Sequence, residues 1–175
     1  MKKLFIVFLL FLSSCSFHTL YEYEGNSYAK LSQVGLGKID GKKPYLIKQI
    51  FQNEFYLNED DLHKTKKYEI YLNLGDGIGD WLIQSDSTIL RKSLTINANF
   101  SLKSIKTGKV IDSGQVKSMV IFSESPSAWS SYVSEEKAYE NATKDVMRLI
   151  RIQTSLLLAK LQKKEEEYEN KHKGY

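Results

Sequence analysis

One thiol, three imidazoles and a scatter of carboxylates are the groups in this 175-residue chain that could do covalent or metal chemistry, and their spacing decides against most of it. Cys15 is the single cysteine, so no disulfide can close inside the fold. His18, His63 and His172 are too scattered to form a pair at metal-ligand spacing on one element, and no metal site is expected. No serine stands in a Gly-x-Ser-x-Gly context. The run Gly75-Asp76-Gly77-Ile78-Gly79 lacks the Lys-Ser or Lys-Thr that a phosphate loop needs, and it reads as a plain turn. Asp60-Asp61 and Glu135-Glu136 fit solvated or helix-end positions, which leaves no acid/base pair. No catalytic residue, cofactor or enzymatic function is expected.

The basic residues offer a different chemistry. Arg91 and Lys92 precede an apolar alternation, and Lys103, Lys106, Lys109 and Lys117 follow along the same stretch. Such a set could pair with the phosphates of an anionic glycolipid, Arg bidentately and Lys as a point charge. The plainer alternative is solvated charge that blunts an edge strand.

Cys15 acquires a role from what precedes it. Lys2 and Lys3 open the chain, an apolar run fills Leu4 to Leu12, and the sequence turns polar at Ser13, the layout of an export signal. The run is too short to span a bilayer, which takes about 20 apolar residues. Leu12-Ser13-Ser14-Cys15 resembles the lipobox of bacterial lipoproteins, in which the cysteine is acylated on its sulfur. Two or three acyl chains, palmitate among them, hold a protein on a membrane where one chain binds only marginally. Ser16 stands where aspartate would signal retention at the inner membrane, so the resemblance favours the outer membrane.

Removing residues 1–14 as signal peptide leaves a mature chain of 23 basic and 21 acidic residues once Lys2 and Lys3 are gone. That near-neutral balance gives no footing for nucleic acid. Residues 15–27 read as a lipidated tether, 28–164 as one α+β domain, and 165–175 as a charged, disordered tail.

These residues must be positioned by a small set of elements. A strand is expected from Tyr28 to Ile39, with Gly35 and Gly37 marking a bend or a close approach. After an Asp40-Gly41 turn, Pro44 suits the first turn of a helix over Lys43 to Leu57, whose apolar face is Leu46, Ile47, Ile50, Phe51 and Phe55. Asn58 to Lys67 reads as a charged loop. Tyr68, Ile70, Leu72 and Leu74 alternate, as do Leu94, Ile96, Ala98, Phe100 and Leu102, and a fourth strand runs from Lys109 to Phe122 after a Lys106-Thr107-Gly108-Lys109 turn. A loop over Ser123 to Ser131 precedes a long helix capped by Ser134 and ending near Lys164. The expected architecture is two helices packed on one face of a four-stranded, mostly antiparallel or mixed sheet.

From Tyr68 onward the order of features resembles LptE, the lipopolysaccharide-assembly lipoprotein family, in its divergent alphaproteobacterial form. The likeness rests on Cys15-Ser16-Phe17, Tyr68-Glu69-Ile70, Ser85-Asp86 with Arg91 and Leu94, and Asn99-Phe100-Ser101-Leu102. Thr107-Gly108-Lys109-Val110, Asp112-Ser113-Gly114, Ser131-Tyr132 and Glu135-Glu136 with Ala138 and Ala142 extend it. The resemblance implies a lipid-anchored protein on the periplasmic face of the outer membrane that plugs the lumen of the β-barrel LptD and touches lipopolysaccharide. It makes Arg91 and Lys92 candidate lipopolysaccharide contacts, with Lys109 and Lys117 beside them. The alternative reading is a periplasmic auxiliary lipoprotein of an envelope lipid-transport or synthase complex.

Overall fold

The computed structural model describes residues 31–56, 59–83 and 89–172. In chain order the elements are β1 (Val34–Asp40), α1 (Pro44–Phe55), α2 (Glu59–His63), β2 (Tyr68–Ile83), β3 (Ile89–Ser104), β4 (Val110–Ser123) and α3 (Ala128–His172). The strands lie in the order β1-β2-β3-β4, with β1 parallel to β2 and the other pairs antiparallel. The expected α+β architecture, a four-stranded mixed sheet with helices on one face, is the one observed.

Period-two burial builds the core. Among the residues of β2 and β3 whose side chains are described, every buried one has an even number: Ile70, Leu72 and Leu74, then Leu94, Ile96, Ala98, Phe100 and Leu102. Alternation therefore turns one face of the sheet to the helices and, among the described residues, leaves the other without a covering layer. Helix α1 starts on Pro44, whose fixed φ and missing N–H suit the first helical position. It buries Ile47, Ile50, Phe51 and Phe55, each contributing about 1.5–3 kcal/mol of apolar transfer. The Phe51 and Phe55 rings stack at 4.1 Å. Helix α3 contributes Ala138, Tyr139, Ala142, Val146, Met147, Ile150 and Leu158 to the same core.

The glycines of β1 are close approaches. A Cβ on Gly37 would stand 3.2 Å from the Tyr71 ring, and one on Gly35 would stand 3.3 Å from Lys66 Cγ. The pairing of β1 with β2 slips between Leu36 and Ile39.

Several expected boundaries move. The Tyr28 start of the first strand lies outside the described residues, and within them the strand begins at Val34. The charged segment after α1 is not all loop, because Glu59, Asp60 and Asp61 form the first turn of α2, where carboxylates suit the positive helix end. Gly75 to Gly79 is not a turn. It is strand, with Gly75, Gly77 and Gly79 opposite Asn97, Thr95 and Ser93. Backbone pairing with β3 holds it extended although glycine has no side chain to favour that conformation.

The long helix begins at Ala128, before the expected Ser134 cap. Ser127 caps it, its Oγ accepting the Ser130 N–H at 3.4 Å, while the Ser131 hydroxyl accepts from Ser125 N at 2.9 Å and donates to Ser125 O at 2.8 Å. At its other end the helix backbone continues past Lys164 to His172, through the segment read as a disordered tail. No described helix is long and apolar enough to cross a membrane.

Candidate functional site

Arg91 and Lys92 are adjacent in sequence, and in a strand adjacent side chains leave opposite faces. Lys92 pairs across to Phe122, on the helix-covered side, and its Nζ sits 2.7 Å from Glu124 Oε1. The Glu124 carboxylate holds the Lys92 ammonium above its usual range. Arg91, paired to Ser123, takes the opposite face and is exposed. Lys117 is exposed opposite Asn97, on the same uncovered face as Arg91. The register separates the two by roughly 20 Å.

Lys109 lies elsewhere, in the turn between β3 and β4 with Lys106. The four expected glycolipid contacts therefore do not converge. Arg91 and Lys117 share a surface, Lys92 is engaged by Glu124, and Lys109 belongs to the opposite end of β3 from Arg91. Cys15 lies outside the described residues.

What the sequence reading missed is the uncovered face as a surface. Along β2 it presents Asn73, Gly75, Gly77 and Gly79, along β3 Ser93, Thr95, Asn97, Asn99 and Ser101, and along β4 Ser113, Gln115 and Lys117. Met119 and Ile121 are its apolar members on β4. Small hydroxyl and amide groups on a broad sheet face can exchange hydrogen bonds with another polar surface. The signal was present in the odd-numbered residues, which the hydrophobic alternation leaves as background.

At one end of this face Tyr71 is half-buried. Its hydroxyl donates to Glu69 Oε2 at 3.0 Å, which pushes its own ionisation up, and the Lys103 ammonium stands 4.0 Å from the ring centroid. A cleft of about 320 Å³ opens between α1 and β1, lined in part by Lys48, Phe51, Tyr56, Leu62 and Lys66. Lys66 is already committed there, donating to the carbonyls of Ser32 at 2.7 Å and Asp61 at 2.6 Å. Among the described residues no three His, Cys, Asp or Glu side chains gather to hold a metal.

No family model and no curated protein sequence matches this chain significantly. Its fold does recur. A candidate lipoprotein from Caulobacter crescentus CB15 superposes with a TM-score of 0.61 at 15% identity, over 77% of this chain and 97% of that one. Lipoprotein B of Nitrosomonas europaea, itself uncharacterized, gives a TM-score of 0.52 at 11% identity, over 73% and 88%. At such identities the likeness is one of fold.

Proposed function

We propose that this chain is a lipid-anchored envelope protein of the LptE kind, which assembles with the LptD β-barrel, plugs its lumen, and so serves lipopolysaccharide transport to and insertion in the outer membrane. The uncovered sheet face carries the reading: a wide barrel has a polar interior, and Ser93, Thr95, Asn97 and Asn99 beside the Gly75, Gly77 and Gly79 ladder offer a polar surface to meet it. The fold shared with bacterial lipoproteins and the lipobox at Cys15 support the same reading. Within it, Arg91 and Lys117 are the better candidate lipopolysaccharide contacts, since Lys92 is engaged by Glu124.

The test is to express the full precursor in a Gram-negative host, extract the outer membrane in mild detergent, and identify what co-purifies with a tag after Tyr175. Stoichiometric recovery of a large β-barrel is expected. Recovery of an inner-membrane transporter or synthase in its place would replace this proposal with the auxiliary-lipoprotein reading. Glycolipid retained by that preparation is expected to fall in R91E/K117E, and unchanged retention would remove both residues from the contact.

A further inference from the structure

We propose that the turn between β3 and β4 is a membrane contact, in which Ile105 to Val110 rests on the headgroups of anionic phospholipids beside the residues that lead into β1. The inference rests on the reading of Cys15 as the lipid attachment site.

Three observations carry it. All six residues from Ile105 to Val110 are exposed, with Ile105 at 48% and Val110 at 54% of their full areas, and the two aliphatic chains flank Lys106 and Lys109. A lone exposed aliphatic is ordinary on a protein surface. Two at one turn, with lysines that can reach up to phosphate while the aliphatics sit at the acyl boundary, form an interfacial segment.

The second observation is charge. From Ser104 to Val110 the chain carries Lys106 and Lys109 and no carboxylate, Lys67 lies alongside, and Glu69, opposite Lys103, accepts from the Tyr71 hydroxyl. Lys67, Lys106 and Lys109 make no ion pair among the described residues. The next carboxylate, Asp112, pairs to buried Leu102 and so belongs to the helix-covered side. Each such lysine near an anionic bilayer strengthens attachment about fivefold.

The third is position. Ile105 N–H donates to Lys67 O at 2.9 Å, and Lys67 N–H donates to Gln33 O at 2.8 Å, so the turn is two hydrogen bonds from Gln33, the residue before β1. Between Cys15 and Gln33 the chain can span at most about 60 Å, so an anchored domain can bring this turn to the bilayer. The turn is also preshaped: Gly108 takes a φ of 66°, its N–H bonds Ser104 O at 2.8 Å, and Ser104 N–H bonds Lys109 O at 3.0 Å. Exposed Trp81 and Trp129 lie toward the other end of the sheet, roughly 40 Å from the turn.

The experiment uses the full chain, processed in its host and reconstituted in phosphatidylcholine vesicles with or without phosphatidylglycerol. An acylated Cys15 has no free thiol, so T107C and, at the opposite end, S130C each offer one site for a polarity-sensitive fluorophore. A blue shift at position 107, quenched by headgroup-proximal brominated lipid, is expected only with phosphatidylglycerol, and K106E/K109E abolishes it. Equal solvent exposure at 107 in both vesicles overturns the proposal, as does shielding of 130 in place of 107, or protection of 107 that arises only when a protein partner is added. The mass of Cys15 is read separately. If it is unmodified, the anchor reading fails, and flotation of that protein with phosphatidylglycerol vesicles decides the turn: loss of flotation in K106E/K109E supports it, and no flotation of the parent overturns it.

Discussion

The Lys66 ammonium stands 4.1 Å from the centroid of the Tyr56 ring, and both side chains fasten the start of β1. The Tyr56 hydroxyl donates to Val34 O at 2.9 Å, and Lys66 Nζ donates to Ser32 O at 2.7 Å and to Asp61 O at 2.6 Å. One cation thus ties the entry to β1, the short helix α2 and the residue that ends α1. Burial holds the Lys66 ammonium below its usual range, against the opposing pull of the Asp61 carboxylate.

Lys66→Met keeps most of the aliphatic volume and removes the donor that two carbonyls share. A loss of about 1–3 kcal/mol is expected in urea unfolding, from polar groups left without their partner. Amide exchange at Val34 and Gly35 is expected to accelerate more than exchange at Leu94 to Leu102, because the bond network is local to β1. Uniform acceleration across the sheet would show that Lys66 acts on global stability alone.

Alkaline pH probes the same network. Burial, helped by the Asp61 charge, raises the Tyr56 ionisation, and burial with Asp76 and Glu136 raises that of Tyr139, whose hydroxyl donates to Lys42 O at 2.8 Å. The folded chain therefore keeps these protons above pH 10.0, where the unfolded chain begins to lose them. Their stabilisation is complete below pH 10.0 and disappears as pH rises through the folded values. Lys66 opposes this below 10.5, since its depressed folded value makes stability rise with pH there. Stability measured by urea from pH 8 to 11 should fall less steeply in Y56F/Y139F, and should begin to fall at lower pH in Lys66→Met. Parallel curves for all three proteins would contradict the assignment.

The reach of the sequence can be judged residue by residue. Leu94 to Leu102 announced its strand because each even position is apolar and each is buried. The Gly75 to Gly79 segment could not announce itself, because what extends it is hydrogen bonding to β3, which side-chain pattern does not record. Ser134 with Glu135 and Glu136 looked like a helix start, but Ser127 and Ser131 close the N-terminus a full turn and more earlier by bonds among serines. For the candidate contacts, charge was legible and its side was not. A one-residue step along β3 sends Arg91 and Lys92 to opposite faces, and Lys92 to Glu124.

Lys43 takes a φ of 54°, the one non-glycine residue with positive φ among those described. It is held there by its ion pair to Glu136, by its place 4.9 Å from the Tyr139 ring centroid, and by the helix that Pro44 begins. Lys43→Ala loses the pair and keeps the backbone strain, whereas Lys43→Gly loses the pair and relieves it. The glycine variant should be the more stable of the two by about 1 kcal/mol. Thermal unfolding in which alanine equals or exceeds glycine would mean the left-handed conformation is not kept in solution.

Two glycines on opposite faces of the sheet should answer the same substitution differently. A Cβ on Gly114 would lie 2.8 Å from Phe100 Cε1 and Cζ and 3.2 Å from Gln153 Oε1, wedged between a buried ring and helix α3. A Cβ on Gly77 meets nothing within 4 Å. Gly114→Ala is therefore expected to destabilise by about 1–3 kcal/mol through overpacking, while Gly77→Ala is neutral or stabilises by up to about 1 kcal/mol through a stiffer unfolded chain. The Gly114 effect must run through the Phe100 ring if the contact is its cause. In a double-mutant cycle with Phe100→Leu, which shortens the side chain at that point, the two losses should be less than additive by at least about 0.5 kcal/mol. Strict additivity would assign the Gly114 requirement to the strand backbone, where pairing with Phe100 fixes its position, and would free the ring from any part in it.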